Sequence, residues 1–219
     1  VATACLFCFS VAEAKKPGTG GGGGGDSSTA PFMVIELPGV DIAYKVSHQN
    51  VEGTVTVAGG SGSNAAYAVV DVATRLVLDS GPLPVPGNVN SDAWDVNSSG
   101  TIVGSAGALP MRWAPQETGY GFDVLPLLTG DSSGSVVAVS ESGEMVGTSN
   151  AANSSRAAYW NETATTVIDL NTYVAAGSGC TLVAANDINS VGQVVGAGVL
   201  VGVNRGFVLA LLTGKIDAV

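Results

Sequence analysis

The sequence predicts an all-β protein made of four repeats of about 45 residues, and two observations carry this prediction. One motif, Asn or Ser followed by two residues and Gly, recurs along the chain with its glycines at Gly53, Gly100, Gly143 and Gly192. Helical periodicity is absent, and short strand-like segments alternate with loops rich in Gly, Ser, Asn and Asp. We therefore expect four small antiparallel sheets, packed face to face as a small β-propeller or a propeller-like array. A β-sandwich is the alternative.

The N-terminal segment has the composition of a targeting signal followed by a linker. Residues 1–14 contain a short apolar run and end in Ala12-Glu13-Ala14, which fits the cleavage site of a secretory signal peptide. Residues 15–31 include six consecutive glycines and are expected to form a flexible linker. The N-terminal pattern predicts a protein that is secreted or held at the cell surface.

The remaining chain, residues 32–219, is predicted to be the β-repeat domain, with repeats at about 32–75, 76–121, 122–166 and 167–219. Each repeat is expected to open on an apolar strand, at residues 32–37, 76–79, 122–125 and 167–170. In the third repeat the pattern predicts four strands, at residues 122–128, 135–140, 144–149 and 157–160.

The recurring motif predicts a tight hairpin. The Asn or Ser side chain can accept a hydrogen bond from the backbone of the turn, and Gly can take the left-handed conformation that closes it. A second glycine at Gly104, Gly147 and Gly196 lies inside a strand, where it indicates that another backbone or an aromatic ring comes close. Trp113 and Trp160 occupy matching places in their repeats, and we expect them in the core rather than on a stacking platform for sugars.

Composition disfavours both nucleic-acid binding and a transmembrane helix. The chain has a formal net charge of -10 and only 12% charged residues, which disfavours binding to nucleic acid. No run of 18 or more apolar residues occurs, so we expect no transmembrane segment.

With these strands and hairpins in place, the repeats resemble the HAF-type extracellular repeat. The closest match is the segment 185–196, which reads A-N-D-I-N-S-V-G-Q-V-V-G, followed by Arg205-Gly206-Phe207. The segment 138–147 followed by Arg156-Ala157-Ala158-Tyr159-Trp160 is nearly as good, whereas the second repeat departs by placing Arg112 directly before Trp113. The resemblance covers about residues 32–212. It implies an exported bacterial β-repeat protein and supplies no catalytic residue.

The residues offer no complete catalytic, cofactor or metal site. Asp95 and Asp187 begin segments that partly imitate a calcium loop, but the final Glu of such a loop is replaced by Ala106 or Gly198. We therefore expect hairpins held by side-chain to backbone hydrogen bonds, and no metal.

Nucleophilic catalysis has few candidate groups. The single histidine, His48, is expected to be a polar residue at a loop edge, because no Gly-x-Ser-x-Gly elbow precedes a helix. Cys5 and Cys8 lie within the predicted signal, so Cys180 would be the one cysteine of the mature chain. We expect a structural thiol there; intermolecular pairing and nucleophilic catalysis are the alternatives.

Carboxylates and arginines at repeated positions are also expected to be structural. Paired carboxylates for glycoside hydrolysis could come from any two of Glu36, Asp71, Asp79, Asp123 and Asp169, but three of these recur at equivalent strand positions.

Two arginines likewise follow the repeat. Arg156 and Arg205 stand at the same distance after Gly143 and Gly192. We expect each guanidinium to bond loop carbonyls or a carboxylate rather than to form an anion-binding edge.

The function predicted from these observations is an exported, non-enzymatic binding or cell-surface module. Its variable loops would contact a protein or glycan ligand, and no cofactor is expected. The alternative is a carbohydrate-active or other hydrolytic enzyme with carboxylates at the mouth of a propeller.

Overall fold

The computed structural model describes residues 34–210. The predicted signal peptide, residues 1–14, and the predicted linker, residues 15–31, lie outside this range. The chain divides into two units between Glu36 and Leu37, and each is described by itself. The described residues 34–36 of the first unit form neither helix nor strand, so the strand expected at residues 32–37 is not found in the described part.

The second unit contains four antiparallel sheets, and the all-β prediction is confirmed. The first sheet contains β1 (Ile42–Val46), β2 (Thr54–Ser61), β3 (Asn64–Asp71) and β4 (Leu76–Pro82). The second contains β5 (Ser91–Val96), β6 (Ile102–Ala106), β7 (Leu109–Pro115) and β8 (Tyr120–Val124). The third contains β9 (Ser133–Val139), β10 (Met145–Ala151), β11 (Ser154–Trp160) and β12 (Val167–Asp169). The fourth contains, within the described residues, β13 (Cys180–Ile188), β14 (Val194–Leu200) and β15 (Val203–Leu209).

In every sheet the strands pair with their neighbours in chain order. The one helical segment of residues 34–210 is a short 3-10 turn, Leu170–Tyr173. None of the described helical structure is therefore long enough and apolar enough to cross a membrane.

The starting strands expected for the second, third and fourth repeats are wrong. The strands Leu76–Pro82, Tyr120–Val124 and Val167–Asp169 do not open a sheet but close the preceding one. A short turn joins each of them to the third strand of its sheet, and short connections favour pairing of the joined strands. The longer connections, residues 83–90, 125–132 and 170–179, instead lead from one sheet to the next.

The sheets pack one after another, and each contact is made in the same way. The first strand of a following sheet lies against the first three strands of the preceding sheet: β5 against β1–β3, β9 against β5–β7, and β13 against β9–β11. Three apolar clusters fill these contacts in turn, between successive sheets. This arrangement of open sheets is consistent with the predicted propeller-like array and with its alternative, a β-sandwich.

The two matching tryptophans are core residues, which confirms the prediction made for them. Trp113 and Trp160 are fully buried, and each lies opposite the first residues of the second strand of its sheet. Their indole N–H groups donate to the carbonyl oxygens of Pro84 and Pro126, both at 2.7 Å. Leu209 takes the same register position in the fourth sheet, opposite Val194.

The glycine inside each second strand faces a bulge in the first strand. A Cβ placed on Gly104 would overlap the carbonyl oxygen of Asp92, and one on Gly147 would overlap that of Ser135. The strand register shifts at these points, because the first strand contributes one extra residue. The predicted close approach is thus a backbone approach, and it recurs at Gly196.

Candidate functional site

One end of the four sheets carries all the motif turns. Because neighbouring strands run antiparallel in chain order, the turns after the first and third strands of a sheet lie at the same end. Two concavities of the surface, described below, are lined at this end by turns from several sheets. We call this end the turn face.

The motif turns have the predicted hairpin geometry. In the second sheet, the Asn97 side-chain oxygen accepts a hydrogen bond from the Thr101 N–H at 3.0 Å, and Gly100 has a left-handed φ of 79°. The same side-chain bond recurs from Asn50 and Asn189, and Ser140 makes its version with a hydroxyl oxygen. These oxygens accept from backbone N–H groups of their own turns, which explains the motif without a bound ion.

A central cavity of about 320 Å³ opens on the turn face and is lined by residues from all four sheets. Lys45 Nζ lies 3.2 Å from Asp95 Oδ1, which joins the first sheet to the second. The other carboxylate oxygen of Asp95 accepts from the Val139 N–H at 2.9 Å, which joins the second sheet to the third. Asp95 therefore links neighbouring sheets, whereas Asp187, which begins the other imitated calcium loop, accepts from the N–H of its neighbour Ile188. Residues 34–210 contain no cluster of His, Cys, Asp and Glu suited to a metal.

Glu141 lies at the rim of this cavity, and its side chain contacts residues near two other turns. Its Oε1 lies 2.9 Å from His48 Nδ1, and its Oε2 accepts from the Ser98 N–H at 3.0 Å and from the Ser98 hydroxyl. Burial raises the pKa of the Glu141 carboxyl, but the Ser98 hydrogen bonds and the His48 contact outweigh burial, so the pKa falls below its ordinary value. His48 is otherwise exposed at a loop edge, as predicted.

The larger concavity, which we call the polar cleft, lies between the first and second sheets and has a volume of about 850 Å³. Its walls are three turns, residues 49–52, 98–100 and 115–119, and parts of β2–β4. The amides of Gln49 and Gln116 and several hydroxyl groups are accompanied by three carboxylates. The carboxylates belong to Glu52, Asp79 and Glu117, and no Lys, Arg or His stands among the described lining residues.

Two tyrosines and a carboxylate stabilise one wall of the cleft. Tyr67 donates to Asp79 Oδ2 at 2.7 Å, Tyr120 donates to the carbonyl oxygen of Gly100 at 2.9 Å, and the ring centroids lie 4.5 Å apart. Burial raises the pKa of Tyr120 to about 12. It raises the pKa of Tyr67 as well, and the Asp79 contact adds to this effect. Both hydroxyls are therefore protonated donors at neutral pH.

The carboxylates proposed as a catalytic set do not gather at one place. Asp79, Asp123 and Asp169 stand on the last strands of three different sheets. Each bonds a side chain of the neighbouring strand in its own sheet: Tyr67, Arg112 and Arg156, respectively. Only Asp79 lines the polar cleft.

The other two carboxylates of the predicted set, Asp71 and Glu36, do not line the polar cleft either. Asp71 accepts from the Thr74 N–H in the β3–β4 turn, and this bond lowers its pKa. Glu36 is exposed.

The two repeated arginines differ in their surroundings. Arg156 lies 2.8 Å from a carboxylate oxygen of Asp131 and 3.2 Å from one of Asp169, and it donates to the Thr129 carbonyl. The predicted structural role is confirmed for this residue. Arg205 is exposed and donates to the carbonyl of its neighbour Asn204.

Several residues of the turn face belong to no sequence motif that would indicate a binding site. Gln49, Gln116, Glu117 and Tyr120 become cleft residues only because the first two sheets pack side by side, which is a long-range contact. Cys180 is partly buried against the cluster between the third and fourth sheets.

No model of a known protein family matches the chain, and a search of curated proteins finds no match. What the fold and the site define is therefore a class: a β-repeat protein of four sheets with a polar cleft on its turn face. The resemblance to HAF-type repeats stays a prediction based on the motifs.

Proposed function

We propose that this protein is an exported, non-enzymatic binding module that recognises a neutral, hydroxyl-rich ligand, a glycan, in the polar cleft. The observation that carries the proposal is the chemistry of the cleft wall. Amides, hydroxyls and carboxylates face a volume of about 850 Å³ without a cationic side chain among the described lining residues. Such groups exchange hydrogen bonds with sugar hydroxyls, and a volume of this size accommodates a small ligand.

The negative charge of the cleft disfavours anionic ligands. Glu52, Asp79 and Glu117 give the cleft a negative potential, and the whole chain has a formal charge of -10. An anionic ligand such as a sulfated or uronic-acid glycan would meet like charges at close range. Neutral glycans and amino sugars avoid this repulsion, so they are the expected ligands.

The proposed location outside the cell rests on the N-terminal pattern. Residues 1–14 have the composition and the A-x-A ending of a secretory signal, and the repeats resemble an exported family. Binding to a glycan of the cell surface or of the surroundings is consistent with that location.

A glycan array probed with the full chain tests the proposal. We expect retention of neutral or amino-sugar glycans and no retention of sulfated or uronic-acid glycans. Gln116→Ala removes a cleft amide and should weaken the retention, whereas Gln193→Ala removes an exposed amide from the turn of the fourth sheet and should leave it unchanged. Uniform retention of anionic glycans, or equal effects of both variants, would contradict the proposal.

A hydrolytic enzyme is the second candidate, because three carboxylates line the same cleft. Glycoside hydrolysis uses two carboxyl groups about 5 to 10 Å apart across the scissile bond. If the array identifies an oligosaccharide that the chain shortens on incubation, and Asp79→Asn stops the shortening, then the enzyme is correct and the non-enzymatic module is not.

A further inference from the structure

The bulges in the first strands place two aromatic side chains at the surface. In the first sheet the register shifts between Ala43 and Lys45, so Tyr44 is the extra residue; in the second it shifts between Ala93 and Asp95, so Trp94 is the extra residue. The bulges are fixed by backbone geometry, because Gly59 and Gly104 stand where a Cβ would overlap the first strand. Tyr44 and Trp94 therefore occupy equivalent positions in adjacent sheets.

These two side chains form an exposed pair. Tyr44 keeps 48% and Trp94 keeps 41% of its surface accessible, and their ring centroids are 5.7 Å apart with a tilt of 37°. Burial of a large aromatic side chain is favourable, so an exposed pair of such side chains calls for an explanation. The other two tryptophans of the chain are fully buried, so Trp94 is the exception.

The polar atoms of the pair are available as well. Trp113 and Trp160 each donate their indole N–H to a proline carbonyl. Within residues 34–210, neither the indole N–H of Trp94 nor the hydroxyl of Tyr44 has a hydrogen-bond partner. Each ring thus offers an apolar face together with a free donor at its edge.

We propose that Tyr44 and Trp94 form a second saccharide-contact site, separate from the polar cleft, that takes the apolar C–H face of a neutral sugar ring. A sugar ring combines such a face with hydroxyls at its edge, which matches the apolar faces and free donors of the pair. The negative charge of the chain disfavours a phosphate- or sulfate-bearing ring. The inference shares the ligand class of the proposed function but rests on other residues.

The fluorescence of Trp94 can be followed separately, because the buried Trp113 and Trp160 are shielded from a soluble quencher. Acrylamide quenching of the full chain should therefore report Trp94. We expect neutral hexasaccharides of glucose, mannose or N-acetylglucosamine to cause the loss of most of this quenching. Tyr44→Ala should weaken the protection, and Trp94→Ala should lower the affinity measured by calorimetry about tenfold.

Three controls keep the test decisive. Trp94→Phe retains a ring and should retain most of the affinity, which separates loss of the platform from loss of the fold. Leu78→Ala, an exposed apolar side chain on β4, should change nothing. If tetramethylammonium protects Trp94 and no hexasaccharide does, the pair is a cation site and the inference is overturned.

The same experiment separates this site from the cleft. Protection of Trp94 that survives Gln116→Ala supports the aromatic pair, whether or not the cleft binds. Binding that is lost in Gln116→Ala and never protects Trp94 overturns the aromatic pair and leaves the cleft proposal standing. An absence of any effect of all the hexasaccharides on quenching also overturns it.

Discussion

At the scale of single residues, the glycine opposite each bulge has no room for a side chain. A Cβ on Gly104 overlaps the backbone carbonyl of Asp92, and backbone atoms cannot rotate away as a flexible side chain can. We expect Gly104→Ala to lower the free energy of unfolding by about 2 to 3 kcal/mol through overpacking. Urea denaturation followed by far-UV circular dichroism measures this change.

Gly206→Ala is the matched control for this prediction. Gly206 is an exposed strand residue, and the atom nearest to its added Cβ, the Gly196 carbonyl oxygen, lies at 3.8 Å. Its effect should stay within about 0.5 kcal/mol. Equal effects of the two substitutions would show that the bulge does not require glycine.

Arg156 is predicted to contribute more to stability than its counterpart Arg205. The Arg156 guanidinium bonds the carboxylate of Asp131, whose side chain is only 1% exposed, so Arg156→Ala leaves a buried charge without its partner. We expect a loss of about 2 kcal/mol, in the range for hydrogen bonds to charged groups. Thermal unfolding of Arg205→Ala, which removes an exposed guanidinium, should match the parent chain; the opposite order of effects would refute the assignment.

The same pair predicts a pH dependence. Burial raises the pKa of Asp131, but the hydrogen bond and charge of Arg156 outweigh burial and lower the pKa below its ordinary value. A depressed folded-state pKa means that the stabilisation is present above the unfolded pKa of about 3.9 and is lost as the pH falls through the folded value. The stability difference between the parent chain and Asp131→Asn should therefore be constant near neutral pH and shrink below about pH 4. A difference that grows in acid would contradict this sign.

At the scale of elements, Glu141 is expected to order two turns at once. It contacts His48 beside the β1–β2 turn and Ser98 in the β5–β6 turn, and both turns contribute to the polar cleft. Glu141→Gln should weaken both contacts, because it removes the charge that strengthens them. We expect faster amide hydrogen exchange at Ser98 and weaker glycan retention, with little change in the exchange of the sheets.

Glu162→Gln provides the control for this prediction. Glu162 is an exposed acidic residue of the β11–β12 turn, and its backbone carbonyl, not its side chain, accepts the hydrogen bond from Arg112. Its substitution should leave Ser98 exchange unchanged. Unchanged exchange in Glu141→Gln as well would show that the turns are ordered without the carboxylate.

Sequence patterns predict the hairpin turns correctly but not the boundaries between sheets. The Asn-x-x-Gly motif identifies its turn because both requirements, a side-chain acceptor and a left-handed backbone, are local. A periodic sequence does not show where a sheet starts, so the predicted boundary between sheets, at Leu76 for example, lies one strand too early. Turn length decides this, since the short β3–β4 turn ties Leu76–Pro82 to the strand before it.

At the scale of the whole molecule, stability and site both arise from contacts between successive sheets. Trp113 could be assigned to the core from its repeated position, but Trp94 could not be assigned to the surface, because its exposure follows from a bulge one residue long. The polar cleft likewise combines turns that are distant in sequence, such as those containing Gln49 and Gln116. Such pairs become visible only once the packing order of the sheets is known.

The central claim, that a glycan binds in the polar cleft without being cleaved, is tested most directly by NMR. Backbone amide shifts of the full chain would be recorded during titration with the oligosaccharide retained on the array, and the oligosaccharide would be analysed afterwards. We expect shifts concentrated in residues 49–52, 98–100 and 115–119, with an intact oligosaccharide recovered. An absence of shifts from these three turns, wherever else shifts occur, or recovery of a shortened oligosaccharide would contradict it.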